Sequence, residues 1–256
     1  MMQIKADGQS DVGRVRSSNE DAWGVFPDLR FFTVADGMGG HAAGEIASHM
    51  AVDTMHDFIQ SSARSSEVSW PADVDSNLPL PVKRLVAAGK LANEKIYQTS
   101  HSNPKLGGMG TTMVSVLMDQ DTAYVAHVGD SRAYLIRDGK IQRLTEDHSL
   151  MNDYISQGLL KIEEAGQHPL RHVITRALGS SGKVDVDVKT VPLSDGDAFL
   201  LCSDGLSNLL TDEEMRINGL DSLQDPRAAC QRLIDLANKK GGEDNVTVVL
   251  ITSARP

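Results

Sequence analysis

The sequence predicts an α+β fold in which two antiparallel β-sheets pack as a central sandwich flanked by helices (αββα). Three observations point there. Short apolar runs closed by turn residues read as buried strands. Tight two- and three-residue turns join several of these runs as hairpins. The helical patterns come in blocks rather than alternating with strands, which excludes a repeating βαβ architecture. A chain of 256 residues fits one such domain spanning 1–256, with ample material for a core.

The elements follow in order. Residues 31–37, Phe-Phe-Thr-Val-Ala-Asp-Gly, form an apolar run that stops at Asp36-Gly37. Residues 44–60 place Ala47, Met50, Ala51, Met55, Phe58 and Ile59 on one helical stripe, and residues 82–98 repeat the pattern with Leu85, Val86, Ala92 and Ile96. The methionines of these stripes belong to a core rather than to a partner groove. Residues 61–81, rich in Ser, Pro and Asp, read as a surface loop between the two helices. Strands over 111–118 and 122–128 flank the turn Asp119-Gln120-Asp121. Strands over 131–137 and 140–144 flank Asp138-Gly139, a strong hairpin signal. Residues 149–176 interrupt the strand pattern and read as an inserted flap subdomain. Strands over 184–191, 197–202 and 246–252 complete the sheets. Thr211-Asp212-Glu213-Glu214 is a capping-box start, and Asp225-Pro226 is an N-cap followed by proline at the first helical position.

The formal net charge is −10. Nucleic-acid binding normally requires a basic surface, so the acidic charge disfavours that partner and, with it, a two-metal nuclease or phosphodiesterase. An acidic chain repels anions at long range, so any phosphate site must supply its own local positive charge. Cys202 and Cys230 fall in apolar surroundings and read as small core residues, with no Cys/His pattern for zinc. No secretory leader and no apolar run of membrane-spanning length is present, so a cytoplasmic location without membrane contact is expected.

The chemistry lies in carboxylates at strand ends. Asp36 and Asp204 each follow an apolar run and precede glycine, and Asp130 follows the run 123–129. Buried carboxylates are costly unless paired or bound to a cation. Three of them at strand ends suggest one hard metal site, suited to Mg²⁺ or Mn²⁺. Gly37, without a side chain, lets its carbonyl approach a cation. Two divalent ions can orient a water for in-line attack on phosphorus. Arg16 is the obvious bidentate partner for phosphate, the alternative being a surface salt bridge with Glu20. His127 and His148 read as packed, hydrogen-bonded residues.

Seven motifs stand in order along the chain: D-x-G-x-x-R-x-x-N-E-D at 11–21, V-A-D-G-M-G-G-H at 34–41, G-M-G-T-T at 108–112, V-G-D-S-R at 128–132, T-x-D-H-S at 145–149, S-D-G-L at 203–206 and D-N-x-T at 244–247. Together they resemble the PP2C (PPM) family of metal-dependent protein serine/threonine phosphatases, in its bacterial form. The resemblance implies hydrolysis of phosphoserine and phosphothreonine by a metal-activated water, with no phosphoenzyme. It implies that Asp36 bridges two ions, that Asp204 and Asp244 complete the first ion's protein ligands, and that the Gly37 carbonyl binds the second. Glu20 and Asp21 would act through waters, and Asp130 with Asp204 would hold a third ion. Arg16 would bind the substrate phosphate. The substrates implied are phosphorylated proteins, among them a cognate Ser/Thr kinase and its targets, met by a monomer.

Animal relatives carry histidine directly after Asp-Gly. Here Met38 stands there, and His41 three residues on is a candidate proton donor, the alternative being a structural histidine that opens a helix. A phosphoprotein-binding pseudophosphatase is the competing function. Degenerate members of that kind lack metal-binding aspartates, whereas Asp36, Asp130, Asp204 and Asp244 are all present.

Overall fold

Adjacent residues of the central strands face different cores. In the computed structural model, which describes residues 2–39, 43–65, 67–165, 168–220 and 224–255, β3 (Phe31–Met38) sends Phe31 toward helices and Phe32 toward the opposite sheet. In β10 (Ala198–Cys202), Phe199 and Leu201 face the other sheet while Leu200 and Cys202 face a helix. The same alternation in β11 (Val246–Ala254) sets Val249 and Ile251 against Val248 and Leu250. Strands buried on both faces explain why the sequence shows continuous apolar runs instead of alternation.

Three apolar layers result, as the αββα expectation requires. One sheet has the order β1 (Gln3–Asp11), β11, β10, β7 (Arg132–Arg137), β8 (Lys140–Arg143). The other has the order β2 (Asp21–Phe26), β3, β5 (Met113–Asp119), β6 (Thr122–Val128), β9 (Asp187–Pro192). Every strand pair is antiparallel. Helices α1 (Ala43–Arg64) and α2 (Leu80–Ser102) cover the second sheet through Ala47, Met55, Leu85 and Ile96. Helices α6 (Asp212–Leu220) and α7 (Pro226–Lys239) cover the first through Met215, Leu233 and Ile234.

Local signals behave as their chemistry dictates. Asp138 and Gly139 both have positive φ (51° and 70°), the conformation of a two-residue hairpin that matches strand twist. Glu214 N donates to Thr211 Oγ1 and Thr211 N donates to Glu214 Oε2, closing the capping box. Asp225 Oδ1 accepts from Ala228 N at the start of α7. Cys202 and Cys230 are free and buried.

Several boundaries differ from expectation. The apolar run at Phe31 does not stop at Asp36-Gly37, because β3 continues to Met38 by pairing with β4 (Gly110–Thr111). The single strand expected over 111–118 is two, β4 and β5, broken at Thr112. The loop expected over 61–81 is shorter. α1 continues to Arg64 and α2 begins at Leu80. Trp70 anchors the remaining connection edge-on against Phe58, with Lys83 Nζ 4.5 Å from its ring centroid. β1 and β2 were not among the expected strands. Residues 149–176 contain α3 (Leu150–Ser156) and α4 (Ile162–Ala165). They are closed at the base by a Ser149–Ile174 bridge and by Thr175 N donating to His148 O. The short helix α5 (Asp204–Ser207) follows β10 directly.

Candidate metal centre and phosphate site

Asp21 and Asp36 occupy directly opposed positions on β2 and β3. Side chains so opposed sit on one face within about 5 Å at Cβ, and like charges there repel. The charge of Asp204 bears on Asp36 as well. Two carboxylates this close must share a proton or a cation.

The sandwich brings the other candidates to the same place. Arg16, Glu20, Asp36, Gly37, Asp130, Asp204 and Asp244 all border one cavity of about 780 Å³. Asp21 is buried and does not line it. His41 lies outside the described residues. The elements explain the convergence. β3 and β10 run side by side in facing sheets and end at the same edge. Asp130 follows β6, and Asp244 precedes β11 by two residues.

The electrostatics of the cavity are those of an unneutralised anionic cluster. Burial pushes the Asp21 carboxyl up to about 7, against the pull of its bonds from Thr247 and Ser203, and the charges of Asp204 and Asp244 push the same way. Burial followed by the charge of Asp204 raises Asp130 to about 7. Asp36 is raised well above the carboxylate range by burial and then by Asp21, Asp204, Asp130 and Asp244. Burial and Asp244 raise Asp204, and burial raises Glu20 against the opposing charge of Arg16.

Asp21 shows how the site is poised. Its Oδ2 accepts from Ser203 Oγ at 2.8 Å and from Thr247 Oγ1 at 2.6 Å. Its Oδ1 is buried with no hydrogen-bond partner. A buried carboxylate with one oxygen saturated and the other left over calls for a cation or a cation-bound water. All-oxygen donors clustered this way fit Mg²⁺ or Mn²⁺.

Gly37 is a glycine for a reason beyond its carbonyl. A Cβ there would collide with the carbonyls of Glu20 and Gly44. Gly205 is likewise forced, because a Cβ would meet the Asn245 carbonyl, so both Asp-Gly glycines allow backbone to approach backbone. Arg16 does not pair with Glu20. Its Nη2 donates to Asp244 Oδ2 at 2.7 Å, and that bond raises its pKa above the ordinary arginine value. The guanidinium remains more than half exposed at the cavity mouth.

Residues that carried no assignment in the sequence turn out to frame the site. Asn245 donates from Nδ2 to the carbonyls of Val12 and Ser18 and accepts from Glu20 N at Oδ1. One side chain thereby pins the 11–21 loop beside Asp244. Ser10 Oγ meets Thr247 Oγ1 at 2.6 Å and accepts from Asn19 Nδ2, extending the network under Asp21. Their signal in the sequence was only their neighbourhood to the acidic motifs.

Among the described residues, His127, His148 and Asp187 also gather ligand atoms within 4.8 Å of one another. Their hydrogen bonds are already committed. His148 Nδ1 accepts from Gly129 N at 3.0 Å and Nε2 faces Asp187 Oδ2 at 3.3 Å, while His127 Nε2 donates to Glu146 O at 2.7 Å. His148 has no free lone pair for a cation. Both histidines are packed and hydrogen bonded, as expected from the sequence.

The chain as a whole is similar to known proteins. The profile of the family described as Protein phosphatase 2C matches residues 12–244. A serine/threonine phosphatase, stp, of Listeria monocytogenes is 38% identical over 97% of this chain and 95% of its own. The Mycobacterium tuberculosis serine/threonine protein phosphatase PstP is 38% identical over 96% of this chain and 44% of its own longer sequence. The crystal structure of the PstP catalytic domain in complex with two manganese ions superposes with a TM-score of 0.83 at 33% identity, covering both chains completely.

Proposed function

The chain belongs to the protein phosphatase 2C family and is a metal-dependent protein serine/threonine phosphatase, and from that premise we propose how its own residues divide the work. Asp36 would be shared by two divalent ions, Mn²⁺ or Mg²⁺, with Asp204 and Asp244 completing the first, the Gly37 carbonyl reaching the second, and Glu20 and Asp21 acting through waters; Asp130 with Asp204 would hold a third. The observation that carries this assignment is the opposed pair Asp21 and Asp36, with a buried Oδ1 left unbonded. Ions in such a cluster supply charge to a phosphoryl group and a nucleophile at neutral pH.

The protein's residues do the rest. Arg16 takes the phosphate of the substrate. To do so its Nη2 turns from Asp244 to the incoming oxygens, a short movement for an exposed guanidinium. Asn245 keeps the Arg16 loop in register with Asp244, so phosphate grip and metal ligand stay fixed relative to each other. Asp21 is oriented from below by Ser203 and Thr247. His41 is the candidate donor of a proton to the leaving serine or threonine oxygen.

The catalytic unit is a single domain over 1–256, with residues 149–176 as a flap beside the cavity. Phosphorylated proteins are its substrates, and a cognate Ser/Thr kinase with its targets is the natural set. It acts as a monomer in the cytoplasm. Among the described residues no helix is long and apolar enough to cross a membrane. The pseudophosphatase reading is disfavoured, since all four acidic ligand positions are filled. The deciding experiment is Mn²⁺-dependent hydrolysis of a phosphothreonine peptide and of para-nitrophenyl phosphate, abolished by chelator. Absence of turnover at any Mn²⁺ concentration overturns the assignment.

A further inference from the structure

The carboxylate cavity opens onto a second one of about 410 Å³, and the two share His172, Asp204, Glu243 and Asp244 on their common wall. Away from that shared acidic wall, the second cavity is lined by arginines. On its floor a single carboxylate, Asp147, serves two arginines. Arg132 Nη2 donates to Oδ2 at 2.7 Å, and Arg143 Nη2 donates to Oδ1 at 2.7 Å. Arg132 Nε adds longer contacts to both oxygens, at 3.1 and 3.2 Å. One negative charge between two guanidiniums leaves the floor net positive. Arg171, exposed on the 149–176 segment, adds a further cation to the wall.

The two floor arginines are not equivalent. Arg132 is held by Asp147 and by Tyr134 Oη. Arg143 spends Nε on the Thr145 carbonyl and Nη2 on Asp147, which leaves Nη1 without a hydrogen bond among the described residues. A third of its side chain is exposed to the cavity side. Met151 and Ile155 of α3 supply an apolar wall above it. None of these residues is needed by the proposed metal centre.

We propose that this cavity is a substrate subsite that takes an anionic side chain, carboxylate or second phosphate, lying near the scissile phosphoserine or phosphothreonine in the same peptide. The proposal rests on the metal centre occupying the adjoining cavity. An extended peptide advances about 3.3 Å per residue, so a neighbouring side chain reaches a cavity that shares a wall with the first. Guanidinium forks match carboxylate and phosphate geometry, and an apolar wall accommodates the methylene stem of glutamate. Asp147 has both oxygens occupied, and of the carboxylates on the common wall Asp204 and Asp244 would be taken up by the ions, so an incoming anion meets the Arg143 and Arg171 donors with Glu243 as the one opposing carboxylate. In a chain of net charge −10, a local cationic floor is what makes an anionic neighbour favourable.

The test is a positional series of phosphothreonine peptides carrying Glu, phosphoserine or Gln at one neighbouring position at a time, hydrolysed by the Mn²⁺-loaded enzyme. The expected result is a gain in kcat/KM of about fivefold to tenfold for Glu over Gln at one or two positions on one side, mainly through KM, shrinking at high salt. The phosphoserine arm distinguishes a second phosphate from a carboxylate as the better occupant. In Arg143→Gln and Arg171→Gln the Glu-to-Gln ratio, taken within each enzyme so that changes in overall turnover cancel, falls to within about twofold of unity. Arg171 lies on an exposed segment, so its variant keeps the test valid where the Arg143 variant fails to fold. A ratio near unity at every position in the wild type, or a ratio retained in both variants, overturns the subsite while turnover of para-nitrophenyl phosphate leaves the metal centre standing. Loss of all Mn²⁺-dependent turnover in the wild type overturns both.

Discussion

Thr112 holds Asp36 through both ends of one residue: its Oγ1 accepts from the Asp36 amide at 2.9 Å, and its amide donates to the Asp36 carbonyl at 2.8 Å. The same Oγ1 meets Ser131 Oγ at 2.7 Å, beside Asp130. A single buried hydroxyl thus sets the distance between two carboxylates that arrive on different strands. The break between β4 and β5 falls at Thr112 for this reason. It leaves the ladder to bond Asp36.

Thr112→Val keeps the shape of the side chain and removes the hydroxyl. The Asp36 amide then loses its partner in a buried setting, at a cost of about 1–3 kcal/mol. The folded variant is expected to need more Mn²⁺ for half-maximal turnover, while Thr112→Ser stays close to wild type. Equal Mn²⁺ dependence in the Val and Ser variants would contradict the positioning role.

Asp36→Asn and Asp204→Asn each remove a formal charge from the cluster without changing its volume. Turnover of a phosphopeptide is expected to fall by at least about a hundredfold. The midpoint of thermal unfolding, which rises with Mn²⁺ in the wild type because the ion binds only the folded chain, is expected to rise little or not at all in the variants. Calorimetric scans with and without the ion measure this independently of activity.

Metal binding is expected to expel protons. Asp21 and Asp130 titrate near 7 in the metal-free fold, well above the ordinary 3.8, with burial as the leading cause. A carboxyl raised on folding holds a proton that the unfolded chain would release. Its contribution to metal-free stability therefore declines as pH rises from about 4 to about 7. A bound cation favours the ionised form, so at pH 6 Mn²⁺ displaces those protons and at pH 9 none remain to displace. Titration calorimetry in buffers of different ionisation enthalpy reads the number directly. No release at pH 6 would refute the account.

Asp197→Asn separates stability from chemistry. Asp197 is wholly buried and accepts from Arg137 Nε at 2.6 Å, Arg137 Nη2 at 2.7 Å and Ser194 N at 2.7 Å, at the end of β10 remote from the metal cavity. Neutralising it leaves Arg137 without its counter-ion and is expected to cost about 3 kcal/mol. Denaturant unfolding should show that loss while turnover per folded molecule stays unchanged.

The central strands could be read from the chain because both of their faces are apolar. β1 could not. Its sequence Gln-Ile-Lys-Ala-Asp-Gly-Gln-Ser-Asp carries only one buried residue and joins the sheet at its edge, where little apolar surface is needed. β2 is short and contains Gly24, and Trp23 on it remains partly exposed while covering Gly8. The clustered carboxylates were visible as charge at the ends of apolar runs. Their assembly from residues as distant as Asp21 and Asp244 was visible only through the ordered family motifs. Hydroxyls and amides such as Thr112 and Asn245 had no such signal, since a buried threonine that orients a carboxylate looks in sequence like any strand threonine. The glycine of Asp36-Gly37 was legible as special, but packing against Glu20 and Gly44 supplies a reason that only the fold contains.

The pairing of β1 with β11 runs without a break from Gln3 opposite Ala254 to Asp11 opposite Val246. The loop that carries Arg16 hangs from one of these strands, and Asp244 leads into the other. During synthesis the first strand therefore waits, without its hydrogen-bonding neighbour, until the ribosome has emitted almost 250 residues more. A nascent chain can bury its helices and middle strands early, whereas the segment that carries Arg16 gains its full anchorage only once β11 pairs with β1 and Asn245 bonds the carbonyls of Val12 and Ser18.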